Sequence, residues 1–144
     1  MAIFSYVMKI FICCSKYFYH KVAPIQKELE AKGHAITLPN SYGAPFMEEE
    51  LKKQGVEAHR IWKSAKLKEQ VEKILANEAI LVLNFEKHGQ ENYVGGATFL
   101  EIFKAFELGK HIFFYNPIPE GMLRDELYAM NPKIINGDLS KVHE

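Results

Sequence analysis

Two stretches of this chain are apolar with almost no interruption: Met8 to Cys14, broken only by Lys9, and Ala79 to Phe85, unbroken as far as Asn84. Both are rich in β-branched and aromatic residues. A strand that alternated polar and apolar residues would have one wet face. Continuous runs of this kind belong to strands covered on both faces, which is the signature of a parallel sheet between layers of helices.

The intervening sequence fits that expectation. His20 to Lys32 carries Val22, Ile25 and Leu29 at helical spacing, with Gly33 as the stop. His34 to Leu38 reads as a second strand. Pro39 to Val56 reads as irregular, because Asn40, Gly43, Pro45 and Gly55 break it. Within it, Glu48-Glu49-Glu50 reads as a solvated helical face. Helical pattern resumes from Ala58 to Ala76, and Ala79 to Phe85 is the third strand. Thr98 to Leu108 is helical and stops at Gly109-Lys110. His111 to Tyr115 is a fourth strand, Glu120 to Met130 a helix, and Lys133 to Ile135 a short fifth strand. Strands alternating with helices imply parallel βαβ units. We therefore expect one α/β domain over residues 1–144, with five parallel strands in order 2-1-3-4-5 and helices on both faces.

Composition excludes several classes. Eighteen basic and eighteen acidic residues give zero formal net charge, so a broadly basic nucleic-acid binder is not expected. No apolar run approaches the ~20 residues of a membrane span. The apolar start, Met1 to Cys14, lacks a basic leader and a small-residue cleavage site, and reads as a short extension into the first strand. Cys13 and Cys14 are adjacent, point to opposite faces of a strand and cannot readily bridge each other. A reducing, cytoplasmic setting follows as an expectation. Six histidines and two cysteines offer no metal-ligand spacing, and there is no phosphate-binding glycine motif. No metal and no cofactor is expected.

In a doubly wound sheet, ligands bind beyond the carboxyl ends of the strands, where strand order reverses. That rule selects Cys14, Ser15 and Lys16 after the first strand, Asn84 to Gly96 after the third, and Asn116 to Pro119 after the fourth. Asn84 and Asn116 suit either a ligand hydroxyl or a loop-stabilising turn. The densest segment is Asn84 to Leu108, where a polar loop leads through Gly95-Gly96 into a helix. Thr98 and Glu101 have the spacing of a capping box, so spacing alone reads Glu101 as a cap on its own helix.

This segment is similar to the signature of the nucleoside 2-deoxyribosyltransferase superfamily, which includes 2'-deoxynucleoside 5'-phosphate N-hydrolases. Lys9 to Ser15 resembles the family's first strand and following loop. Leu108-Gly109-Lys110 resembles its helix exit. The resemblance follows the chain nearly end to end in element order and implies a flavodoxin-like doubly wound fold. It assigns Glu101 the attack on the anomeric carbon of a nucleoside or nucleoside 5'-monophosphate. It places Ser15, Lys16, Asn84, Gly95, Gly96, Thr98 and Asn116 around the substrate, and implies a homodimer or larger homo-oligomer. Ser15 and Lys16 are expected to favour a 5'-phosphate. The dipole of its helix is expected to favour the ionised form of Glu101, placed in the first turn.

Three positions depart from the pattern. Phe11 stands where the family usually has a tyrosine. Glu69 and Gln70 lie nearest its usual aspartate on the helix before strand three. Val94-Gly95-Gly96 stands where the transferases carry an aspartate. Glu69, Glu86 and His88 are the sequence candidates to assist a departing base. His59 and Trp62 are candidates to stack one. The departures leave a second reading open, a non-catalytic nucleotide-binding module that keeps the pocket. A third is a domain used only for assembly.

Overall fold

The computed structural model describes residues 7–143. The extension read from the first residues lies mostly outside them. Five strands form one sheet: β1 (Lys9–Cys13), β2 (Ala35–Thr37), β3 (Ala79–Val82), β4 (His111–Phe114) and β5 (Lys133–Ile134). All pairings are parallel, in the order β2-β1-β3-β4-β5. This is the flavodoxin-like α/β arrangement expected from the apolar runs.

Strand alternation sorts the core into two layers. Ile10, Ile12 and Cys14 point to one face with Leu81, Leu83 and Phe113. That face is covered by a 3-10 turn (Lys16–Lys21) and α1 (Val22–Ala31), which contribute Phe18, Val22, Ile25 and Leu29. Phe11 and Cys13 point to the other face with Ile80, Val82, Ile112 and Phe114. It is covered by α3 (Val56–Leu75), α4 (Gly96–Glu107) and α5 (Arg124–Ala129), through Ile74, Ile102, Ala105 and Leu127. The adjacent cysteines thus sit in different layers, and both are free. No described helix is long and apolar enough to cross a membrane.

Two expectations are corrected. The span from Pro39 to Val56 contains a helix, α2 (Met47–Lys53), which buries none of its residues and so shows no apolar periodicity to read. The helix expected from Glu120 begins only at Arg124, because Gly121 takes φ +121°.

At the end of α1 the chain reverses sharply. The Gly33 N–H donates to Glu30 and the His34 N–H to Leu29, a Schellman motif closed by Gly33 at φ +96°. A Cβ on Gly33 would come within 2.8 Å of Val7 Cγ1. Gly33→Ala is therefore expected to cost about 1–2 kcal/mol in urea unfolding. Gly43→Ala, at ordinary φ with open space around it, should change stability by under about 0.5 kcal/mol. Equal effects of the two would contradict this account of the α1 turn.

Candidate active site

Strand order reverses between β1 and β3, and a cavity of ≈ 230 Å³ opens at the carboxyl end of that junction. Three strand exits build it. Cys14, Ser15 and Lys16 follow β1; Pro39, Asn40 and Ser41 follow β2; Tyr93 and the start of α4 follow β3. One side of α3 closes it, with Trp62, Lys63, Lys66, Leu67 and Gln70. Of the residues expected at the site, Ser15, Lys16, Gly95, Gly96, Thr98 and Glu101 all line this cavity. So does Trp62, which is partly buried with the Lys66 ammonium 5.9 Å from its ring.

Asn84 and Asn116 are not brought into it. The Asn84 amide donates to the carbonyls of Asn116 and Pro117, both at 2.9 Å, and accepts from the Asn116 N–H. Asn116 returns a bond to the Asn84 carbonyl. The pair ties the exits of β3 and β4 together, the loop-stabilising alternative. None of the three candidates to assist a departing base lines the cavity. Glu69 is held by Lys66 and Lys73. Glu86 accepts from the Gly89 N–H, and His88 sits edge-on to Tyr17.

The capping-box reading of Glu101 is overturned. Helix α4 begins at Gly96, with Gly95 extended at φ −84°, ψ 175° as its N-cap. Thr98 is already inside the first turn, and Glu101 is the sixth helical residue, in the second turn. Its side chain turns inward and is only 4% exposed. The expected ionisation is overturned with it. Burial pushes the Glu101 carboxyl up to about 8, while the Cys13 thiol, Lys73, the Gln70 amide and Lys63 pull it back. Desolvation exceeds the modest benefit of a helix N-terminus one turn away. Burial, with Glu101 second, pushes the Cys13 and Cys14 thiols well up too, so neither is poised as a nucleophile.

The rim is charged and internally paired. Lys16 is held by Glu49 of α2. Glu48 also lines the cavity and meets His59 at 2.9 Å and Lys63 at 3.3 Å. Burial raises the Glu48 carboxyl, but His59 and Lys63 outweigh it and hold it below the ordinary range. The acidic run is therefore not a bare solvated face, and His59 grips α2 without lining the cavity. Tyr93 lies in the stretch after the third strand that topology selected, but Lys63, Lys66, Tyr19 and Asn40 escaped the sequence reading. They arrive from helix faces and loops that carry no motif. Tyr19 alone had a local signal, its position just after the strand-one exit. Its hydroxyl donates to the Asn40 carbonyl. Among the described residues no group of histidines, cysteines or carboxylates could hold a metal ion.

A scan against protein-family models, a search of curated proteins and a search of solved structures each find no match for this chain.

The buried carboxyl makes stability depend on pH. Its folded value, about 8, lies above the ordinary 4.5, so its favourable contribution is complete below pH 4.5. That contribution is lost as pH rises toward 8, as the unfolded chain ionises and the folded one resists. Relative to the parent, Glu101→Gln should therefore gain on the order of 4–5 kcal/mol across that window in urea titrations. A stability difference flat between pH 4.5 and 8 would contradict the burial argument.

Proposed function

We propose that this protein cleaves or transfers the N-glycosidic bond of a nucleoside or nucleoside 5'-monophosphate, with Glu101 as the nucleophile. The observation that carries the reading is the placement of one inward-facing carboxyl, Glu101, in the cavity at the strand-order reversal. An oxocarbenium-like centre needs a carboxylate at hand to stabilise and then trap it. Trp62 and Tyr19 supply aromatic surface for a base, and Ser15, Asn40 and Ser41 supply groups for sugar hydroxyls. The resemblance to the nucleoside 2-deoxyribosyltransferase superfamily supports the same assignment. Any 5'-phosphate would meet Lys16 at the rim, in competition with Glu49.

A second reading has one specific observation in its favour. Burial lifts the Glu101 carboxyl to about 8 and so favours its protonated form, which can donate a hydrogen bond. A pocket of that kind can hold a nucleotide without breaking it.

Incubation with 2'-deoxynucleosides and their 5'-monophosphates, followed by chromatography for free base, separates the two. A nucleophile must be ionised, so base release should climb with pH and level off above about 8. Glu101→Gln should bind the same compound and release less than about a thousandth as much base. Binding with no release by the parent would favour the second reading. A Glu101→Gln rate within a few-fold of the parent would end the nucleophile assignment.

The reading also brings a homo-oligomer. Leu100, Phe103 and Phe106 stand 50%, 45% and 48% exposed along α4, an apolar stripe that a second copy would cover. Sedimentation velocity at micromolar concentration should give a dimer or larger species, and a monomer would remove the proposal.

A further inference from the structure

Helix α3 spans twenty residues, yet it buries only two, Ile74 and Gln70. Ile74 belongs to the apolar layer beneath the sheet. Gln70 does not, and an amide at such a position costs stability unless it is hydrogen-bonded. It is only 7% exposed, and its partners are informative. The Gln70 Nε2 donates to the carbonyl of Ala97 at 3.2 Å. That carbonyl can only accept, so the orientation of the amide is fixed. Ala97 lies one helical turn before Glu101, so the same carbonyl is the one that takes the Glu101 backbone N–H in the α-helical ladder. The Gln70 side chain also lines the same cavity as Glu101 and favours the ionised form of its carboxyl.

We propose that Gln70 is the residue that positions Glu101 for reaction. The amide is anchored on the backbone turn beneath the glutamate and stands in the same cavity as its carboxyl, so it fixes the axial position of α4 and offers the acid a polar neighbour. Cys13 closes this seat on the β1 side: it is fully buried, and its thiol pulls the Glu101 carboxyl back toward the ionised form. Gln70 acts through Glu101 and has no part in bond breaking. An amide has no proton to give at neutral pH, so its contribution is orientation and preferential support of the ionised form. This role rests on the glycosyl-transfer reading for its catalytic consequence, but not for its geometry.

The test uses the full chain with 13Cδ-labelled glutamate, the Glu101 resonance being identified by its loss in Glu101→Gln. In Gln70→Met, which keeps the volume and removes the donors, the Glu101 titration should move up by about one unit. With any 2'-deoxynucleoside or 5'-monophosphate that the parent cleaves, kcat should fall at least about tenfold with KM changed under about threefold. The pH–rate midpoint should rise alongside the carboxyl titration. Should Gln70→Met fail to fold, the parent carries a second measurement. The Gln70 side-chain amide resonances should shift with the midpoint of the Glu101 carboxyl, and lose that shift in Glu101→Gln. An unchanged Glu101 titration in folded Gln70→Met overturns the proposal, as do amide resonances blind to the carboxyl in the parent. Coupled titrations in a protein that releases no base would uphold the seat and refute the chemistry instead.

Discussion

The parallel pairing of β1 with β3 holds the molecule together. Ile10 to Cys13 lie in register with Ala79 to Val82, and all but one of these eight side chains are entirely out of solvent. Because consecutive residues point to opposite faces, this one ladder supplies the centre of both apolar layers. The same pairing creates the reversal of strand order, since β2 lies on the far side of β1 and β4 on the far side of β3. A crevice beyond the carboxyl ends follows from that topology before any polar residue is considered. The site is a by-product of how the core is buried.

Dry packing then governs the chemistry of the site. Glu101 faces inward from a helix whose neighbouring core residues are Ile102 and Ala105, and its carboxyl inherits the low polarity around it. The electrostatic cost of ionisation is offset only in part, by the Cys13 thiol, the distant Lys73 ammonium and the Gln70 amide. Nearby groups are pulled by the same charge. Burial, followed by the neighbouring thiol and Glu101, moves the Tyr19 hydroxyl up, so it stays a hydrogen-bond donor to Asn40. Burial thus favours the neutral forms at the interior end of the cavity, while its rim carries ion pairs.

The sheet was legible in the sequence because burial on both faces leaves an unbroken apolar run, and such runs survive without knowledge of their partners. Residues just past the strand ends were legible for the same reason: topology fixes where Ser15, Gly95 and Gly96 must go. The start of α4 was harder. Thr98 and Gly95 both suit an N-cap, and only the extended backbone at Gly95 decides between them. Asn84 and Asn116 occupied the right ends of the right strands, but each is the other's nearest polar partner. Helix α2 was illegible because it contributes nothing to the core. Gln70 was visible only as a departure from the family pattern, since its bond to Ala97 joins positions twenty-seven apart.

That same helix α2 sets the character of the cavity's outer wall. It is joined to the body through Glu48 and Glu49, reaching His59, Lys63 and Lys16, while Phe46 and Met47 beside them face water. Partly exposed ion pairs of this sort contribute about 0–1 kcal/mol each and weaken as salt rises. The floor under Glu101 has no such sensitivity, because it is held by apolar contacts and short-range hydrogen bonds. Ionic strength therefore acts on this molecule unevenly: it can loosen one side of the chamber while the sheet and the buried acid stay as they are. The outer wall of the chamber answers to the solution's counterions, and its inner end does not.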